Sequence, residues 1–135
     1  MTVLLDTHVW IWWLTGQGEL PAQVRAALDE AAAVAPPALS AVSLWEAQML
    51  HRKGRLRLDL PLSSWLRQAS AADVVAIVPL DVDVVLAIDA LPSRFHGDPA
   101  DRIIVASALS RGLPLCTYDR AIRRSRTAAI WPQRV

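Results

Sequence analysis

The sequence predicts an α/β fold: a three-layer α/β/α sandwich with a central, mainly parallel sheet of about five short strands. Three observations carry this. Short apolar, β-leaning runs alternate with stretches whose apolar residues recur at helical spacing. Proline and glycine stand where such helices begin and end. No repeat, low-complexity tract or linker interrupts the 135 residues, so 1–135 is expected to be a single domain. Alternation of this kind covers both faces of a parallel sheet with helices.

The elements follow in order. Residues 2–5 form the first apolar run, ended by Asp6. A short helix carries Trp10, Trp12 and Trp13 and stops near Gly16. Pro21 opens a second helix with Val24, Ala27, Leu28 and Ala31 on one face, and Pro36-Pro37 ends that segment. Ser40 caps a helix that runs to about Lys53 and is stopped by Gly54. Another helix follows Pro61, with Trp65, Leu66 and Ala69 as its apolar face. Residues 74–78 read as a buried strand, and Asp81 begins a helix carrying Val84, Val85 and Ile88. Asp98-Pro99 opens a helix through Leu109 that Gly112 ends. Residues 113–117 are strand-like, Asp119 starts the last helix, and 128–131 are expected as an edge strand. Trp10, Trp12 and Trp13 cannot all point one way on a helix, so at least one should face a groove or interface. Core packing is expected for Trp10 and Trp45.

Composition narrows the function classes. Hydrophobic residues make up 53% and charged residues 20%, a globular balance. No apolar run approaches the roughly 18 residues that span a bilayer. The start meets a charge at Asp6 and has no basic stretch, which argues against a signal peptide, so a cytoplasmic location is expected. Cys116 is the single cysteine, which excludes an intrachain disulfide and a Cys-rich zinc site. The five glycines form no phosphate-binding loop of the GxGxxG or GxxxxGK[ST] kind. His8, His51 and His96 are scattered and read as structural or exposed. Net charge is +1, yet the basic residues cluster at Arg52, Lys53, Arg55 and Arg57 and again at Arg120, Arg123, Arg124 and Arg126. Thirteen of the fourteen are Arg, whose planar fork suits phosphate. Such clusters either track a nucleic-acid backbone or form solvated helix faces.

The acids carry the chemistry. Asp6 and Asp119 follow strand-like runs, and ligands of parallel sheets bind beyond the carboxyl ends of the strands. Each acid also has a local explanation. Asp6, Asp98 and Asp119 suit helix N-caps, and Asp101 falls three residues after Asp98 like a capping-box partner. Glu46 lies too far into its helix to cap and sits within the apolar stretch SLWEA, where an acid is costly unless paired or ligated. Carboxylates gathered at one sheet edge would repel one another unless a cation neutralised them, and Mg²⁺ or Mn²⁺ prefers such oxygens.

Four segments together carry a resemblance: LLDTHVW around Asp6, SAVSLWE ending at Glu46, HGDPADR containing Asp98, Asp101 and Arg102, and TYD ending at Asp119. In these, in order and across nearly the whole chain, the sequence resembles the PIN-domain ribonucleases of the VapC toxin family. The resemblance implies an RNA-cleaving enzyme that uses Mg²⁺ or Mn²⁺. It makes Asp6, Glu46, Asp101 and Asp119 the catalytic, metal-binding acids. Asp98 is an added candidate, as a helix cap or a supporting group. Thr7 and Thr117 would orient carboxylates or waters, and Arg102 would contact phosphate or pair with an acid. Gly97 stands where the family often carries Arg or Lys. The resemblance further implies an antitoxin protein that blocks the site, and a homodimer. A receiver-type signalling domain would need adjacent acids after the first strand and a late lysine; Asp6 stands alone and the single lysine is Lys53. Asp6-Thr7-His8 lacks the second acid of a phosphatase DxD motif. The alternative is a non-catalytic PIN-like binding module that has lost its metal; all four acids are present, so nothing in the sequence favours it.

Overall fold

The structure is a computed structural model and describes residues 2–95 and 97–133. His96 lies outside the described residues. Four strands, β1 (Leu4–Leu5), β2 (Ala38–Ser40), β3 (Ala76–Val78) and β4 (Leu115–Cys116), form one sheet in the order β3-β2-β1-β4. Every pairing is parallel: Leu4 lies opposite Ala38 on one side and Leu115 on the other, and Leu39 lies opposite Ile77. Among the described residues seven helices accompany them: α1 (Thr7–Thr15), α2 (Ala22–Val34), α3 (Ala41–Arg52), α4 (Leu62–Ala69), α5 (Val82–Asp89), α6 (Pro99–Arg111) and α7 (Arg120–Ser125).

The two-residue period of the strands separates two cores. Leu5, Leu39 and Cys116 join Val9, Trp10, Val24, Leu28 and Trp65, from α1, α2 and α4. Leu4, Ala38 and Leu115 face the other way, against Val84, Ile104, Val105 and Ile122, from α5, α6 and α7. This is the three-layer sandwich the sequence predicts. Helix ends follow its punctuation: Gly16 and Gly112 adopt left-handed conformations after α1 and α6, and Ser40, Asp81, Asp98 and Asp119 each accept a backbone N–H as N-caps.

Three features differ from the sequence reading. The strand β2 is not signalled by the sequence, because Ala38, Leu39 and the capping Ser40 are too few to show a period. The expected edge strand at 128–131 contributes a single parallel bridge, Leu115 to Ile130, so among the described residues the sheet has four strands and not five. Trp10 is fully buried, but Trp45 is 56% exposed. The buried residues of α3 are Ser43 and Ala47. At about 100° per residue, Trp45 points almost opposite to both. Small residues let α3 approach the core closely, and the indole is left outside.

Candidate active site

The strand order places β1 between β2 and β4, so chain direction through the sheet reverses at the β1–β4 boundary. A crevice opens beyond the strand ends at such a point. Asp6 follows β1 directly, and its backbone N–H extends the ladder to the Cys116 carbonyl (2.9 Å). Asp119 follows β4 at the start of α7. Glu46 reaches the same place from α3, and Asp98 and Asp101 from the first turn of α6. These five acids, with His8, Val9, Trp12 and Tyr118, line one pocket of about 410 Å³.

Asp6, Asp98 and Asp119 are all N-caps and all line the pocket; the capping and site readings of the sequence are compatible. Asp98 Oδ1 accepts the Asp101 N–H (3.0 Å), and Asp119 Oδ1 accepts that of Ile122 (2.9 Å). Asp6 is 7% exposed. Its Oδ1 accepts the Thr7 N–H (2.8 Å) and its Oδ2 the Thr117 hydroxyl (2.6 Å). The Thr117 oxygen in turn accepts the Asp119 N–H (3.1 Å), tying the ends of β1 and β4 together. Glu46, half-buried in α3, receives the Thr7 hydroxyl at Oε1. With that proton committed to Glu46, the buried Ser43 hydroxyl, 2.8 Å away, donates to Thr7 Oγ1. Two threonines predicted from sequence thus hold two predicted acids. Ser43 gives no signal in the sequence, because a small hydroxyl on a helix carries no pattern.

The charges are crowded. Burial pushes the Asp6 carboxyl above its ordinary value, against the lowering effect of the Thr117 and Thr7 hydrogen bonds. Burial also raises Glu46, with Asp6 and Asp98 adding to the rise and the Thr7 hydrogen bond opposing it. Asp101 is driven from 3.8 to about 7, first by desolvation and then by Asp98, Asp6, Asp119 and Glu46. Among the described residues no three His, Cys, Asp or Glu side chains form a closed metal-ligand group. The donor set is nonetheless all oxygen, anionic and arranged around an open pocket. That chemistry fits a hard divalent cation that keeps part of its water shell, and not a soft or histidine-selecting metal.

Arg102 follows Asp101 in α6 but is not among the residues lining the pocket. His8, Trp12 and Tyr118, absent from the sequence-based site, form an aromatic side to it. The His8 and Trp12 ring centroids are 5.9 Å apart, and those of Trp12 and Tyr118 6.4 Å. His8 and Trp12 are four residues apart in α1, the spacing that places two side chains on one helix face, so this wall had a legible signal. Cys116, next to the site, is buried and its thiol is pushed up to about 12, which removes it as a nucleophile.

Residues 3–127 match the family model of the PIN domain. The chain is 39% identical over 125 residues to Ribonuclease VapC22 of Mycobacterium tuberculosis (strain ATCC 25618 / H37Rv), covering 93% of this chain and 92% of that protein. Two solved structures share the fold at low identity. VapBC2 from Rickettsia felis, bound to a promoter DNA fragment, matches with a TM-score of 0.72 at 16% identity, over 96% of this chain and 97% of that one. FitAcB from Neisseria gonorrhoeae matches with a TM-score of 0.64 at 21% identity, over 96% of each chain. With the sheet, the acid pocket and these likenesses in agreement, the chain belongs to the PIN-domain family and, within it, to the VapC proteins.

Proposed function

We propose that the protein is a metal-dependent endoribonuclease, the toxin of a type II toxin–antitoxin pair. The observation that carries this is the convergence of five acids on one pocket at the switch point of the sheet. The ribonuclease name of its relative supports RNA as substrate. Asp6, Glu46, Asp101 and Asp119 would hold Mg²⁺ or Mn²⁺, with Asp98 supporting them. When bound, such an ion supplies charge neutralisation and a water acidified toward neutrality. The chain's own residues prepare the place for it. Thr117 and the Thr7 amide fix both oxygens of Asp6, each of which keeps a lone pair for a ligand. The Ser43–Thr7 relay fixes Glu46 in the same way.

The Rickettsia felis neighbour is VapBC2 bound to its promoter DNA, and the pairing in that name supports a protein antitoxin as this chain's partner. Exposed apolar residues on α5 (Val82, Val85 and Leu86) suit such an assembly or a second copy of the chain. A cytoplasmic location goes with an RNA substrate, and among the described residues no helix is long and apolar enough to cross a membrane.

The test is cleavage of unstructured and structured RNA by purified, partner-free protein in Mg²⁺ or Mn²⁺. Asp6→Asn and Asp101→Asn should each lower the rate by at least about 100-fold. A wild-type protein that cuts nothing, or variants that cut equally well, would refute the reading.

A further inference from the structure

A pocket of five carboxylates repels a polyanion. If RNA is cut there, an ion in the pocket offsets that repulsion locally, and a longer strand needs further attraction from the surrounding surface. Tyr118 is shared between the acid pocket and a second concavity, whose wall also includes Pro21, Arg123 and Ile130. Arg123 is shared between that concavity and a third, lined by Arg120, Arg123, Arg124 and Arg126. Arg124 in turn joins Arg94 in a fourth. Successive hollows with common walls therefore lead from the acids to five arginines.

The arginines are placed to receive an anion. Arg120, Arg123, Arg124 and Arg126 are all exposed. Among the described residues none of the four forms an ion pair with a carboxylate. Like charges three and four residues apart on a helix destabilise it, and α7 carries Arg120 against both Arg123 and Arg124. An anionic ligand would relieve that repulsion. Arg123 is oriented: its Nε donates to the Thr117 carbonyl (2.8 Å), and its guanidinium lies 4.8 Å from the Tyr118 ring centroid. The residue that positions Asp6 is thus one hydrogen bond from the first arginine of the run.

The aromatic wall adds a second kind of contact. Trp12 and Tyr118 line the acid pocket, tilted by 36° to each other. Trp12 is backed by Gly18, where a Cβ would fall 2.2 Å from the indole. A held aromatic surface beside a phosphate-seeking run suits an unpaired base, which stacks without regard to sequence.

We propose that these hollows are the track for an unpaired strand of the RNA substrate. A base stacks against Trp12 and Tyr118, and the adjoining phosphates lie along Arg123, Arg120 and Arg124. This rests on RNA being the substrate, but it can be tested without cleavage.

The experiment measures binding of a fluorescein-labelled oligouridylate of about ten nucleotides, by anisotropy across a salt series. The protein is the Asp101→Asn form in EDTA, with folding checked by circular dichroism. Arg120→Ala/Arg124→Ala should raise Kd on the order of ten-fold and flatten the log Kd against log salt slope by about 1.4, at roughly 0.7 per phosphate contact on a single strand. The charge-matched pair Arg52→Ala/Arg55→Ala, on the other basic cluster, should leave both within about two-fold. Tyr118→Leu should weaken binding, and Tyr118→Phe should restore it. Unchanged Kd and slope in the Arg120/Arg124 pair overturn the track, as does equal loss in the control pair, which would mean diffuse attraction. Unchanged RNA binding with lost binding of an oligoglutamate peptide would assign the patch to a protein partner and overturn it too. If the wild-type protein cleaves no RNA while the arginine pair still weakens binding, the track stands and the nuclease reading falls. If cleavage is seen and the pair binds normally, the reverse holds.

Discussion

Replacing Asp101 with asparagine should make the metal-free protein more stable while abolishing its chemistry. The Asp101 carboxyl is raised from 3.8 to about 7, by desolvation first and by Asp98, Asp6, Asp119 and Glu46 after it. Because the folded value lies above the unfolded one, the stability carried by the protonated carboxyl is complete below 3.8 and is lost as pH rises through about 7. One unit corresponds to about 1.4 kcal/mol, so the unscreened rise is worth roughly 4 kcal/mol. Asp101 is only half-buried, and solvent screening reduces the usable figure to roughly 1–2 kcal/mol. Asparagine has nearly the shape of the neutral acid and never ionises, so it recovers this difference above pH 7. For a chain of this size that is about 3–8 °C in melting temperature. Thermal unfolding in EDTA measures it. The variant should melt higher by that amount at pH 8, and by progressively less as pH falls toward 3.8. Mg²⁺ should then raise the melting temperature of the wild type and leave the variant nearly unmoved. A variant that melts at or below the wild type at pH 8, or whose gain is independent of pH, would refute the reasoning.

Other perturbations separate the site from its scaffold. Thr117→Val removes the donor to Asp6 Oδ2 and the acceptor for the Asp119 amide. It should cost about 1–3 kcal/mol in denaturant unfolding and, by raising the Asp6 carboxyl further, move the acid limb of the pH–rate profile upward; Thr117→Ser should restore both. Gly18→Ala places a Cβ 2.2 Å from the Trp12 ring on a backbone with φ of +81°, which should cost roughly 1–3 kcal/mol and change the tryptophan fluorescence. Trp45→Ala, at a side chain 56% exposed, should shift stability by less than about 0.5 kcal/mol. Trp10→Ala, which empties a fully buried site and breaks the indole bond to the Ala69 carbonyl, should cost roughly 3–5 kcal/mol.

What the sequence disclosed depended on the range of each signal. Helix ends were legible because Gly16, Gly112, Ser40 and the aspartate caps act through their own backbone neighbours. β2 was not, because its three residues are strand only through pairing with β1 and β3. Trp45 reads as core by size and apolarity, whereas Ser43 and Ala47 turn α3 inward by being small. The acids were found from their strand-end and mid-helix positions and from the family resemblance. The supports Ser43 and Tyr118 were not, since their relation to the acids exists only once α3, α1 and the β4 end are brought together. The arginines of α7 were visible as a cluster, but their connection to the acid pocket through Tyr118 is a property of the surface alone.

The dual use of the caps explains how one chain tolerates so many acids in one place. Asp6, Asp98 and Asp119 each answer exposed amides at a helix start, and the positive end of a helix favours a carboxylate there. Backbone dipoles thus offset part of the charge that the pocket collects. Glu46 sits mid-helix and has no such amide, and Asp101 gives its own amide to the Asp98 cap. Both carboxyls are held above their ordinary range, Asp101 furthest. Asp6 combines the two conditions: it caps α1, yet burial still raises it. The negative charge left over after the backbone has done its part is therefore concentrated on Asp6, Glu46 and Asp101. A dication that neutralises those three gains the most from the site, so on this reasoning Asp101, the carboxyl raised furthest and answered by no helix-start amide, is the acid whose loss should weaken metal binding most.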